Sequence, residues 1–155
     1  MSTASTHPPL DLDPTPATPI VLGTMAWGSV PPPPPDADPG AGPEGPAGAA
    51  QAEAAVERAR RALRAGIEAG VDLLDTADIY GAGRSEETVG RLLHELPYEE
   101  RSALKVQTKC GIVLHETDPA GRRLTRYDSS PEHVRASLEG SLSRLGGQRV
   151  DTLII

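Results

Sequence analysis

The sequence has no phenylalanine, one cysteine, and only two lysines against 13 arginines in its 155 residues. The single cysteine, Cys110, excludes an intrachain disulfide framework and is typical of a reducing compartment. No apolar run approaches the roughly 20 residues that span a bilayer, and the N-terminus lacks the charged and apolar regions of a secretory signal. We therefore predict a cytoplasmic protein that does not enter a membrane.

Basic residues are missing from the first third of the chain. Residues 1–50 hold five acidic residues and no lysine or arginine, whereas residues 51–155 hold 17 acidic and 15 basic residues. Because neither part has an excess of positive charge, nucleic acid and anionic membranes are poor candidates for partners. The composition does not indicate an oligomeric state.

Proline is concentrated where basic residues are missing, with 13 of the 16 prolines in residues 1–50. Residues 1–19 are polar and interrupted by proline, which predicts a disordered tail. Residues 30–50 begin with a run of prolines and continue in Gly, Ala and Pro, which predicts a low-complexity insertion exposed to solvent. The remaining residues between 20 and 155 are predicted to form one domain.

Apolar runs and amphipathic periodicity alternate through this domain. The apolar runs predict strands at residues 20–22, 71–74, 103–108 and 150–155. The periodicity predicts helices that begin at about residue 51, at Ser85 and at Ser130–Pro131, and residues 111–129 are predicted to form a loop. The alternation predicts parallel strands, in either an open doubly wound sheet or part of a (β/α)8 barrel. A complete barrel needs about 250 residues.

Three polar side chains are candidates for chemistry because functional groups collect at the carboxyl ends of parallel strands. Asp75 and Tyr80 follow the second predicted strand, and Lys109 follows the third. A carboxylate keeps a partly buried ammonium charged, and the ammonium stabilises a phenolate, so the phenol can transfer a proton. These residues therefore predict an Asp–Lys–Tyr proton-transfer cluster. We predict no metal site.

Four segments together resemble the aldo-keto reductase family, and most closely its bacterial-type oxidoreductase branch. The segments are GTMAWG at residues 23–28, AGVDLLDTADIYGAGRSEETVGRLL at 69–93, VQTKCG at 106–111, and SSPEHVRASLEGSLSRLGGQRVDTLII at 129–155. The combination of DTADIYG with a TK strand about 30 residues later is specific, whereas each piece alone is a weak signal.

The resemblance implies a (β/α)8 barrel of the α/β class, of which this chain covers about the first four β/α units. It implies a reductase that transfers a hydride from NADPH to a small aldehyde or ketone. Tyr80 would be the general acid, supported by Lys109 and Asp75. The resemblance also assigns Gly23, Thr24, Met25 and Asp75 to the cofactor site and Trp27 to the substrate pocket.

The chain departs from the family pattern at its C-terminal end. The family's catalytic histidine would come directly after Ile155, and strands five to eight have no counterpart. We therefore expect a truncated chain that is poorly folded and inactive alone. Two other functions stay open: a non-catalytic scaffold or binding module built on the same barrel, and a Schiff-base lyase with Lys109 as its nucleophile.

Overall fold

A computed structural model describes residues 20–29, 46–117 and 123–155, so the predicted tail at 1–19 and residues 30–45 lie outside the described residues. The four strands that the sequence predicts are separated by helices, with a further short helix and an additional pair of strands between them. In chain order they are β1 (Leu22–Gly23), α1 (Pro46–Glu68), β2 (Leu73–Asp75), a 3-10 turn (Tyr80–Gly83), α2 (Arg84–Glu95), α3 (Tyr98–Ala103), β3 (Lys105–Lys109), β4 (Ile112–Thr117), β5 (Arg123–Tyr127), α4 (Pro131–Arg144) and β6 (Thr152–Ile154).

Four strands form a parallel sheet in the order β1-β2-β3-β6. The register places Gly23 beside Asp75, and Asp75 beside Gln107. Helix α2 contacts both α1 and α4, so successive crossovers lie side by side. A doubly wound sheet reverses its strand order and carries helices on both faces. In this sheet each successive parallel strand is added at the same edge, as in a barrel.

The hydrophobic core lies between this sheet and the helices. Periodicity predicts apolar faces of Val56, Ala59, Leu63 and Ile67 on α1, of Val89, Leu92, Leu93 and Leu96 on α2, and of Val134, Leu138, Leu142 and Leu145 at α4. The first two are buried apart from Ile67, which is partly buried. The face of α4 is buried only in part, since Leu142 is 36% exposed while Leu145 is fully covered. Gly90 of α2 lets α4 approach closely, because a Cβ there would lie 2.7 Å from the Leu145 carbonyl. The core consists of Trp27, Val56, Ala59, Leu63, Leu74, Val89, Leu92, Leu93, Leu96, Leu104, Val106 and Leu145.

Two boundaries predicted from composition are wrong. Helix α1 begins at Pro46, so residues 46–50 belong to a helix and not to the predicted insertion. Proline is favoured in the first helical turn, and the alanines that follow are strong helix formers. The predicted loop at 111–129 contains the antiparallel pair β4–β5, which forms a separate two-stranded sheet.

The start of α2 also differs from the prediction. Ser85 lies inside the helix, and Gly83 is the N-cap residue with φ of +91°. Ala82 also has a positive φ of 57°, a conformation that alanine rarely adopts. The start of α4 is confirmed, because Ser130 accepts a hydrogen bond from the backbone N–H of His133 and proline follows it.

Among the residues that the structure describes, no helix is both long and apolar enough to cross a membrane.

Candidate active site

Asp75, Lys109 and Tyr80 meet at the carboxyl ends of β2 and β3. The Lys109 Nζ lies 2.6 Å from Asp75 Oδ1 and donates a second hydrogen bond to the Thr76 carbonyl at 2.8 Å. The same nitrogen lies 5.0 Å from the centroid of the Tyr80 ring, within the range of a cation–π contact. The structure thus brings together the three residues that were predicted from the sequence to form a proton-transfer cluster.

Asp75 has another donor that the sequence analysis did not select. The Gln107 Nε2 donates to Asp75 Oδ1 at 2.7 Å, so Gln107 and Lys109 share one carboxylate oxygen. Residues i and i+2 of a strand lie on the same face of the sheet. That spacing within VQTK could have identified Gln107 once Lys109 was chosen.

A chain of buried hydroxyl groups holds the backbone at Asp75. The Thr24 Oγ1 donates to the Asp75 carbonyl at 3.0 Å and lies 2.8 Å from Ser85 Oγ, which lies 3.1 Å from Thr76 Oγ1. All three hydroxyl residues are fully buried. Because a buried polar group needs a hydrogen-bond partner, this chain ties the ends of β1 and β2 to the first turn of α2.

A cavity of about 90 Å³ opens beside Lys109 and Tyr80. Asp78, the next acidic residue after Asp75, lines it together with Cys110. Burial raises the pKa of the Asp78 carboxyl, and the nearby carboxylate of Glu86 raises it further. Burial, followed by the charge of Asp78, raises the pKa of the Cys110 thiol. The other residues that line the cavity are Ala77, Ile79 and Ile112.

The remaining residues proposed from the resemblance lie in different environments. Gly23 is exposed beside Asp75, and a Cβ on Gly23 would have no neighbour within 4 Å. Met25 is 65% exposed, whereas the Thr24 side chain is fully buried in the hydroxyl chain. Trp27 is 7% exposed and belongs to the hydrophobic core. The ring packs against core residues between the sheet and the helices, and its assignment to the substrate pocket stays a prediction.

A second carboxylate–cation pair lies on the opposite side of β3. Glu86 is fully buried, and its Oε2 accepts from Arg144 Nε at 2.7 Å. Its Oε1 accepts from the Thr108 hydroxyl at 2.6 Å. The sequence does not reveal this cluster, because its members come from α2, β3 and α4, and an acidic residue in the first turn of a helix is ordinarily explained by the helix dipole.

Comparison with known proteins identifies the family to which the chain belongs. Residues 19–155 match the aldo/keto reductase family. The chain is 37% identical over 97 residues to the 6-dehydroglucose reductase of Agrobacterium fabrum strain C58, an alignment of 60% of this chain and 31% of that protein. It is 40% identical over 86 residues to the NADH-specific methylglyoxal reductase of Escherichia coli K12, covering 53% of this chain and 26% of that protein.

Solved structures give the same result for the fold. The glycerol dehydrogenase of Gluconobacter oxydans superposes with a TM-score of 0.56 at 29% identity, covering 86% of this chain and 33% of that one. Such neighbours are (β/α)8 barrels, so the parallel sheet corresponds to part of that fold. The chain spans about a third or less of the length of these three relatives.

Proposed function

Because this chain belongs to the aldo/keto reductase family, we propose that it contains the proton-transfer site of a cytoplasmic, NADPH-dependent reductase of small aldehydes or ketones. The observation that supports this proposal is the Lys109 ammonium, which lies 2.6 Å from Asp75 and 5.0 Å from the centre of the Tyr80 ring. This is the arrangement in which a phenol can act as a general acid.

In the proposed reaction, Tyr80 donates its proton to the carbonyl oxygen. When bound, the cofactor supplies the hydride that reduces the carbonyl carbon, so the product is an alcohol. Lys109 stabilises the phenolate that remains on Tyr80, since the negative charge of a phenolate spreads into the ring that the ammonium faces. Asp75 keeps Lys109 charged and fixes its position. The side chains therefore act on a single proton at the Tyr80 hydroxyl.

The proposed cofactor contact is at the ends of β1 and β2. Gly23 leaves open space next to Asp75, which suits a flat nicotinamide ring, and exposed Met25 follows it. Thr24 would contribute through its backbone alone, because its hydroxyl already bonds to the Asp75 carbonyl and Ser85. We propose NADPH, although the Escherichia coli relative is named as NADH-specific, so an assay should offer both cofactors.

The geometry at Lys109 disfavours a Schiff-base lyase. An ammonium that donates to a carboxylate and to a backbone carbonyl has no lone pair with which to attack a carbonyl carbon. A non-catalytic scaffold would keep the same ion pair for stability. The two remaining functions differ in cofactor binding, which can be measured by titrating NADPH with the protein and recording the NADPH fluorescence. A reductase should quench or shift this fluorescence, whereas a scaffold should leave it unchanged.

The proposed function is tested by Tyr80→Phe in the protein expressed from its own gene. Removing the hydroxyl removes the proton donor, so carbonyl-dependent oxidation of NADPH or NADH by methylglyoxal should fall at least about 100-fold while cofactor binding is unchanged. Tyr98→Phe is the matched control, because Tyr98 is 70% exposed and lies on α3, away from the ion pair. Unchanged turnover in Tyr80→Phe would contradict the assignment.

A further inference from the structure

Gln107 and Lys109 reach the same atom from the same face of β3. The Gln107 Nε2 lies 2.7 Å from Asp75 Oδ1, and the Lys109 Nζ lies 2.6 Å from it. One is a neutral donor and the other a charged donor, so the carboxylate oxygen is held from two directions. Asp75 lies directly opposite Gln107 in the β2–β3 register, which keeps the glutamine contact short.

Two donors on one oxygen restrict how the carboxylate can turn. The terminal torsion of an aspartate is broad and roughly two-fold, so a carboxylate with Lys109 as its sole partner could rotate and bind the ammonium through both oxygens. Such a rotation would draw Lys109 towards Asp75 and away from the Tyr80 ring. With Gln107 bound to Oδ1, the ammonium keeps its contacts with the Thr76 carbonyl and the ring face.

We propose that Gln107 is a positioning residue, which holds the Asp75 carboxylate so that the Lys109 ammonium stays over Tyr80. The role in turnover rests on the proposed function, whereas the effect on Lys109 does not. Gln107 acts through Asp75 and adds no charge, so it sets the position of the ammonium without weakening the ion pair through a competing cation.

The first test observes Lys109 directly and needs no turnover. Lysine carrying carbon-13 at Cε is incorporated biosynthetically, which leaves the ammonium and its N–H donors unchanged, and the Lys109 signal is assigned by its loss in Lys109→Arg. In Gln107→Met, which keeps the approximate length of the side chain but removes its donor, the Lys109 signal should shift. It should stay in place in Gln51→Met, since Gln51 is exposed on α1.

Lys105 is an internal reference for this measurement, because its side chain is 58% exposed and lies at the opposite end of β3. Its signal should not move in either glutamine variant. An unchanged Lys109 signal in Gln107→Met would overturn the proposal, as would equal shifts at Lys105 and Lys109, which would indicate a general loss of structure.

The second test is the pH profile of Gln107→Glu. Its ionised carboxylate cannot donate to Asp75 and repels it, whereas its protonated form restores an O–H donor. Turnover with methylglyoxal should be about tenfold below wild type under mildly alkaline conditions and should approach wild type as the pH becomes mildly acidic. The Michaelis constant should change little, because the proposed role of Gln107 is exerted through Asp75 and Lys109.

These tests separate the inference from the proposed function. A Gln107→Glu profile parallel to that of Gln51→Glu would overturn the positioning role. Retained turnover in Tyr80→Phe would overturn the reductase assignment, while a shifted Lys109 signal in Gln107→Met would still support the control of Lys109 by Gln107.

Discussion

Two carboxylate–cation pairs lie on opposite sides of β3, and they differ in what surrounds them. Asp75 and Lys109 are 2.6 Å apart, with 24% and 28% of their side chains exposed. Glu86 and Arg144 are 2.7 Å apart, but the Glu86 side chain is fully buried. We call the first the inner pair and the second the outer pair.

The difference follows from the way in which successive side chains of a strand point to opposite faces of the sheet. Gln107 and Lys109 point to the side of Asp75, and Thr108 between them points to Glu86. In the outer pair both carboxylate oxygens are occupied, one by Thr108 and one by Arg144, and the carboxylate is fully buried although 28% of the Arg144 side chain is exposed. The inner pair faces a cavity and leaves its cation beside a phenol. We therefore expect the outer pair to stabilise the fold and the inner pair to take part in proton transfer.

The largest expected effect comes from breaking the outer pair. Arg144→Met leaves the Glu86 charge buried without its cation, which should lower the free energy of unfolding by about 3–5 kcal/mol. Urea denaturation measures the loss. Arg135→Met is the matched control, because Arg135 is exposed on the same helix, and it should change stability by no more than about 0.5 kcal/mol.

The double variant sharpens this prediction. Glu86→Gln combined with Arg144→Met removes the buried charge, so it should recover part of the stability lost in Arg144→Met alone. A single variant as stable as Arg135→Met would show that the outer pair is not structural.

A smaller effect is expected at Asp78, which lies between the two pairs and lines the small cavity. Burial and the charge of Glu86 raise its pKa in the folded state, so its ionisation destabilises the fold as the pH rises through that pKa. Asp78→Asn should therefore raise the melting temperature at neutral pH. The gain should vanish below about pH 3, where the carboxyl is protonated in both the folded and the unfolded chain.

The control for this prediction is Asp72→Asn. Asp72 pairs with Lys105 at 3.7 Å on the exposed surface, where an ion pair contributes little. A pH-independent gain in Asp78→Asn would contradict the account, because it would point to packing instead of charge.

The inner pair was predictable from sequence and the outer pair was not. Asp75 and Lys109 are the last residues of β2 and β3, and Tyr80 comes shortly after β2. Parallel strands bring such positions to one edge of a sheet. Glu86 finds Thr108 and Arg144 only after α2, β3 and α4 have packed, and no local pattern encodes that meeting. Strand periodicity puts Gln107 on the same face of β3 as Lys109, and the β2–β3 register places it opposite Asp75.

In the fold, too, local sequence patterns predicted some elements, whereas others depend on tertiary packing and were not predicted. Hydrophobic periodicity predicted the four parallel strands and the buried faces of α1 and α2. It did not predict β4–β5, whose strands pair only with each other, or α3, which is a single short helix of six residues. The α4 face was only partly right, because Leu142 is exposed where Ser141 is buried.

Carbonyl-dependent oxidation of NADPH by Lys109→Met, compared with its unfolding in urea, tests the contrast between the two pairs most directly. Asp75 keeps its Gln107 donor in this variant, so stability should fall by no more than about 1 kcal/mol, while turnover falls at least about 100-fold. Lys105→Met should match wild type in both respects. Retained turnover in Lys109→Met, or a loss of stability as large as that of Arg144→Met, would contradict a catalytic inner pair.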